Sequence, residues 1–98
     1  MRVDPAEAAP VQLTPSDGAV IDDPARNTVV TVQPVPGALG YQVEIAAAAV
    51  GFSQAASSTT PQIQFGATEM NVQWRVWAIL PDGLRSPASG WRKISYTA

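Results

Sequence analysis

The chain has 98 residues, of which 46% are hydrophobic and 14% charged, and its formal net charge is −2. This length suits one domain with one ordinary core, and the apolar fraction excludes an intrinsically disordered chain. The slightly acidic balance, without any basic cluster, argues against nucleic acid as a partner.

Two residue types that carry much of enzyme chemistry are missing. The sequence contains no histidine and no cysteine, so it lacks the commonest general base, the thiol nucleophile and the usual ligands of transition metals. We therefore expect no catalytic residue, no metal and no cofactor, and we expect that the protein is not an enzyme. No apolar run approaches the roughly 20 residues that cross a bilayer, so membrane insertion is not expected either.

The first ten residues, "MRVDPAEAAP", predict an extended leader or linker at 1–10, followed by one domain at 11–98. The leader lacks the apolar segment of a signal peptide. We expect either a module cut from a longer protein or a small complete protein that does not follow ordinary secretion.

From residue 11 onward, turn signals recur every 8 to 12 residues between short runs rich in Val, Ile, Thr, Tyr and Trp. This spacing predicts an all-β, seven-stranded antiparallel β-sandwich. The alanine tract 46–50 is too short to stand as a helix and is interpreted as the end of a strand and a turn. The predicted strands are Val11–Thr14 with a resumption at Ala19–Ile21, Thr28–Gln33, Tyr41–Ala47, Phe52–Ala56, Gln62–Phe65, Val72–Leu80 and Leu84–Thr97, the last broken by Pro87.

Alternation of apolar and polar residues assigns the faces of the strands. In the third predicted strand, Tyr41 and Val43 point into the core. In the sixth, Trp74 and Val76 point inward, while Trp77 points to the solvent. The segment "PVPGALG" between the second and third strands predicts a tight corner. Its prolines have no N–H to donate to a neighbouring strand, so they end the second strand, and its glycines allow unusual backbone angles.

Four stretches of the chain carry a family resemblance, namely "LTPSDGAVI", "VQPVPGALGYQVEI", "VQWRVWAILPDGLRSP" and "SPASGWRKISY". They resemble the fibronectin type III family as it occurs in bacteria and phages. The resemblance implies an immunoglobulin-like β-sandwich. Val32 stands where the family usually has a core tryptophan, and Val72 stands where it has a tyrosine whose hydroxyl bonds to the preceding turn. We predict that Trp74 fills the space and is the central core residue.

A candidate partner-binding site follows from aromatic and cationic residues near the last two strands. Trp77, Arg75 and Trp91 are expected on one outer face, with Asp82 and Arg85 in the adjoining loop. "SPASGWR" resembles a degraded Trp-Ser-x-Trp-Ser motif of cytokine-receptor modules, which implies a partial ladder of arginines and tryptophans. Two interpretations stay open: the side chains stack and stiffen the sheet, or they form a binding patch.

Three acids near the first turn, Asp17, Asp22 and Asp23, could suggest a calcium site. Calcium requires six or more oxygen ligands, so we favour the interpretation that Asp17 and Asp22 cap turns.

The segment from Val50 to Gly66 carries no charge. Because edge strands are usually protected by charge or proline, the edge expected there is either covered by a neighbour or paired with another chain. The alternative is a short, bulged edge that needs no cover.

These observations predict a non-catalytic structural or protein-interaction module of a larger assembly. The assembly would be a virion, with the chain as a decoration or tail component, or a secreted or cell-envelope protein with the chain as a spacer. Its location would be the virion or the cell surface. The alternative is a carbohydrate-binding module that uses Trp77 and Trp91 as platforms for sugar.

Overall fold

The computed structural model describes residues 9–97, which form eight β-strands. A single turn of 3-10 helix at Ala48–Val50 interrupts the alanine tract, so the predicted strand end and turn are confirmed. The strands are β1 (Gln12–Thr14), β2 (Ala19–Ile21), β3 (Asn27–Val32), β4 (Gly40–Ala47), β5 (Phe52–Ser58), β6 (Gln62–Gly66), β7 (Asn71–Ile79) and β8 (Arg92–Tyr96).

The strands form two sheets, one of three strands in the order β1-β3-β6 and one of five in the order β2-β8-β7-β4-β5. The predicted all-β sandwich is therefore confirmed. It has eight strands rather than seven because a turn at Pro15–Gly18 splits the first predicted strand, and β1 and β2 join different sheets. The pairs are antiparallel except that β2 runs parallel to β8.

The core lies between the two sheets and is centred on Trp74, which has no exposed surface. The predictions that Trp74 is central and that Val76 points inward are confirmed. Other core side chains come from β3, β4, β6, β7 and β8. They include Val30, Val32, Tyr41, Val43, Ile45, Ile63, Phe65, Val72, Val76, Ala78, Ile94 and Tyr96.

The corner between β3 and β4 is fixed by a tyrosine hydroxyl. The backbone N–H of Val35 donates to the hydroxyl of Tyr41 at 2.8 Å. Gly37 has a φ of 80°, a backbone conformation that favours glycine. Gly40 lies so close to β5 that an added Cβ would be 2.9 Å from the carbonyl oxygen of Ser58. The sequence "PVPGALGY" thus turns the chain and anchors it to β4.

A second buried tyrosine joins the two sheets at the opposite end of the sandwich. The hydroxyls of Tyr96 and Thr28 form a hydrogen bond of 2.6 Å. Burial raises the pKa of Tyr96, and the Thr28 hydrogen bond and the charge of Arg26 oppose this shift. Tyr41 and Tyr96 thus each place a hydroxyl in a hydrogen bond at one end of the sandwich.

The described chain enters and leaves at opposite ends of the sandwich. Near its start, the carbonyl of Val11 accepts from the N–H of Gln33, beside the corner. Near its end, the N–H of Thr97 donates to the carbonyl of Ile21, and the N–H of Tyr96 donates to the carbonyl of Met70. Of the predicted leader 1–10, residues 1–8 lie outside the described residues. Across 9–97, no helix has the length and apolar character needed to span a membrane.

Candidate functional site

Two serines hold the segment before β8 against β7. The N–H of Ser86 donates to the carbonyl of Ala78, and its hydroxyl accepts from the N–H of Ala78, both at 2.9 Å. Ser89 does the same for Val76, at 2.8 and 3.0 Å. Each serine thus satisfies both backbone groups of one β7 residue. The predicted strand from Leu84 is wrong before Arg92, because serine hydroxyls replace regular strand pairing in this segment.

The first arginine–tryptophan stack pairs Arg75 with Trp91. The guanidinium carbon of Arg75 lies 4.6 Å from the centre of the Trp91 ring. Glu44, directly opposite Arg75 on β4, accepts from its Nε at 2.8 Å and from its Nη2 at 2.7 Å. The carboxylate and the indole therefore hold the guanidinium plane from two sides.

The second stack pairs Arg85 with Trp77. The guanidinium carbon of Arg85 lies 4.5 Å from the centre of the Trp77 ring. On β4, Gln42 lies opposite Trp77 and accepts from its Nε1 at 3.1 Å. The indole consequently has its polar atom satisfied and one face covered, which leaves it only 8% exposed.

The two stacks border a shallow depression of about 470 Å³ on the outer face of the five-stranded sheet. We call this surface the Arg–Trp face. The two arginines of this face differ in their ion pairing. Arg75 is paired with Glu44, whereas Arg85 makes no ion pair with any residue in 9–97. A carboxylate on a partner could therefore bind Arg85. The face comprises Gln42, Glu44, Arg75, Trp77, Arg85, Ser86, Ala88 and Trp91.

The structure brings together four of the five residues predicted as partner-binding. Arg75, Trp77 and Trp91 lie on one face as expected, and Arg85 joins them from the loop. Asp82 does not, because its carboxylate accepts from the N–H of Leu84 within the loop's own turn.

Two details of that prediction are wrong. Trp77 lies on the outer face but is buried there, because Arg85 covers it. Arg75 stacks on Trp91 alone, so the stacking consists of two separate pairs. Glu44 and Gln42 were not singled out as site residues, although alternation from Tyr41 already places both on the outer face.

Of the acidic residues near the first turn, only Asp23 caps a turn; the predicted turn capping by Asp17 and Asp22 is wrong, because both bond to the last strand or the residue after it. The carboxylate of Asp17 accepts from the N–H of Lys93 at 2.8 Å. That of Asp22 accepts from the hydroxyl of Thr97, and that of Asp23 accepts from the N–H of Ala25. In the part of the chain that the structure describes, no group of three or more acidic side chains is placed to hold a metal ion.

The chain is similar in fold to a solved Fn3-like protein from Clostridium thermocellum. The two superpose with a TM-score of 0.63 over 95% of this chain and 96% of that chain, at 21% sequence identity. No protein-family model and no curated protein matches the sequence. At this identity the likeness establishes architecture alone. The chain is therefore a β-sandwich with a fibronectin type III-like fold.

Proposed function

We propose that this domain is a non-catalytic structural module of a larger assembly and that it binds a protein partner through the Arg–Trp face. The observation that carries the proposal is the pair of arginines that lie over two indoles, one on β7 and one directly before β8, on the same outer face. Tryptophan and arginine are the residue types most enriched among those that dominate binding energy at protein interfaces.

Several side chains of this face already have partners within the domain. Arg75 is fixed by Glu44 and Trp91, and Trp77 by Gln42 and Arg85. Ordering a long side chain on binding costs roughly 0.5–1.5 kcal/mol. Side chains that already have partners within the domain avoid part of this cost. The Arg–Trp face is therefore suited to recognition in addition to stiffening the sheet.

The chemistry of the face also favours one class of partner. Arg85 is exposed and makes no ion pair within residues 9–97, so an acidic side chain on the partner would complement it. Both indoles already have an arginine over one ring face, which reduces the flat aromatic surface offered to a sugar. These features support an acidic protein surface over a carbohydrate.

The described chain enters beside the corner and leaves at the far end of the sandwich, an arrangement compatible with a spacer. We propose two settings for such a module, a virion in which it decorates the capsid or tail, and a secreted or cell-envelope protein in which it acts as a spacer. Detecting the chain in purified virions or in the envelope fraction of the source cells would distinguish these settings.

Site-specific photo-crosslinking in the source cells tests the proposed face. We would replace Ala88, which lines the depression, with p-benzoylphenylalanine, and place the same residue at Gln64 on the exposed face of the other sheet as a matched control. We expect a discrete crosslinked protein at position 88, its loss on adding Arg85→Glu, and none of that product at position 64. The same product at both positions, or no crosslink at 88, would overturn the proposal.

A further inference from the structure

Strand β5 is the unprotected edge of the five-stranded sheet. It has seven residues, Phe52–Ser58, and pairs only with β4 among the strands of the described chain. The uncharged segment around it extends from Ile45 to Thr68. Natural sheets usually protect an exposed edge with a charge, a proline, a bulge or a very short strand, and β5 has none of these.

The other three edges carry such protection. Strand β1 has three residues and an irregular register, and it lies between Pro10 and Pro15. Strand β2 has three residues and lies between Asp17 and Asp22. Strand β6 follows a proline, and the side-chain amide of Gln54 donates to the carbonyl of its last residue at 3.1 Å. The lack of protection is therefore specific to β5.

The hydrogen bonds of β7 and β4 show which residues of β5 direct their backbone groups towards β4. The backbone groups of Val76 bond on the side of β7 away from β4. Because successive residues of a strand direct these groups to opposite sides, Trp77 bonds towards its partner Gln42 on β4. One residue further, Val43 bonds towards β5, where it lies opposite Ala56.

The same alternation leaves the backbone groups of Ser53, Ala55 and Ser57 directed at the free edge. Each of these residues is exposed, and none of their N–H or C=O groups has a hydrogen-bond partner within residues 9–97. Three donors and three acceptors are thus presented in a row on one side of the strand.

We propose that this edge binds the same edge of a second copy of the chain, in an antiparallel pair centred on Ala55. In that register Ala55 lies opposite Ala55 of the second copy, and Ser53 lies opposite Ser57. Each pair of residues can exchange two hydrogen bonds, so all six free backbone groups of each copy are satisfied. The two five-stranded sheets become one continuous sheet.

The side chains of β5 support a second copy as the occupant. A two-fold pair centred on Ala55 places this residue opposite its own copy, so a charge at position 55 would meet a like charge. The outward side chains of Ser53, Ala55 and Ser57 are small and neutral, and they create neither repulsion nor a clash. This surface is the backbone edge of β5; Ala55 and Ser57 adjoin the Arg–Trp face, because they lie opposite Glu44 and Gln42, but the inference does not depend on the proposed function.

The oligomeric state of the full chain tests the proposal. We would measure its mass by sedimentation from micromolar to millimolar concentration, beside Ala55→Lys and the control Gln64→Lys, which adds the same charge to the exposed β6. We expect a concentration-dependent dimer for the parent chain and for the control. Ala55→Lys should raise the dissociation constant at least about ten-fold, because two ammonium groups would lie opposite each other.

A cysteine substitution tests the register. The chain has no cysteine, so Ala55→Cys introduces a single thiol, and residues opposite each other in such a pair have Cα atoms about 5.5 Å apart, within reach of a disulfide. Mild oxidation should link Ala55→Cys into a covalent dimer and leave Gln64→Cys monomeric.

Three outcomes would overturn the proposal. A parent chain that is monomeric throughout, with fast-exchanging amides at Ser53, Ala55 and Ser57, would show that the edge is free. A monomer in which these amides are protected would show that another part of the same chain occupies the edge. A dimer that is insensitive to Ala55→Lys would place the interface elsewhere.

Discussion

Two tryptophans on β7 are buried on opposite faces of one sheet by different means. Trp74 lies between the two sheets and has no exposed surface, whereas Trp77 lies on the outer face and is 8% exposed. Side chains from several strands surround Trp74. On the outer face, Arg85 covers the ring of Trp77, and Gln42 satisfies its nitrogen.

This difference shows how burial depends on the number of neighbours. A core site is maintained by many contacts of about 0.1–0.2 kcal/mol each, so no single neighbour decides it. An outer site covered mainly by one long side chain depends on that side chain and on the segment that holds it. The inner face of β7 should therefore govern stability, and the outer face should govern local order.

Truncation of the core tryptophan has the largest expected effect. Trp74→Ala should lower the free energy of unfolding by about 3–5 kcal/mol, because it leaves a large cavity between the sheets. Trp74→Phe should cost less, since it keeps a ring and removes an indole N–H that is buried without a partner within residues 9–97. Urea denaturation measures both. A loss below about 1 kcal/mol for Trp74→Ala would contradict the central place of this residue.

Removal of the Ser86 hydroxyl, which helps to hold the segment before β8 against β7, should have an intermediate effect on stability. Ser86→Ala leaves the backbone N–H of Ala78 without its acceptor at a buried position, which should cost about 1–3 kcal/mol. Ser16→Ala, at an exposed serine whose hydroxyl has no hydrogen bond among the described residues, is the control and should be nearly neutral. The same urea titration compares them, and equal losses would refute the role of the Ser86 hydroxyl.

Removal of the arginine that covers Trp77 has the smallest effect on stability. Arg85→Ala should cost about 0.5–1 kcal/mol, the size of an exposed cation–π contact. Exchange of the Trp77 indole N–H with solvent, followed by NMR, should become faster, and Arg85→Lys should have a smaller effect because it keeps the charge and the long stem. Unchanged exchange in Arg85→Ala would show that the arginine does not protect the indole.

Much of the fold could be predicted because alternation has a period of two and leaves little choice of face. Once Tyr41 begins an inward row, Val43 must follow it, and Glu44 must face outward. The candidate site was only partly accessible by this reasoning. Alternation placed Arg75 and Trp77 on one face, but it contains no information about residues that arrive from a loop.

The arrangement of the Arg–Trp face depends on contacts between residues far apart in the chain. Which arginine covers which indole is set by the path of segment 84–91, where Ser86 and Ser89 bond to β7 in place of a regular strand. Sequence reasoning began the last strand at Leu84 and broke it only at Pro87, because the residues around the proline are compatible with a strand. The serine hydroxyls that replace strand pairing depend on backbone groups that only the folded β7 presents.

The amino-acid sequence by itself determined the sandwich, its inward rows and the inward position of Trp74, since each follows from local alternation and from the need to bury large apolar side chains. Tertiary structure alone decided the division of the first strand between two sheets, the pairing of each arginine with its indole and the exposure of the β5 edge. Those features depend on register and on long-range hydrogen bonds, which exist only after the two sheets have assembled.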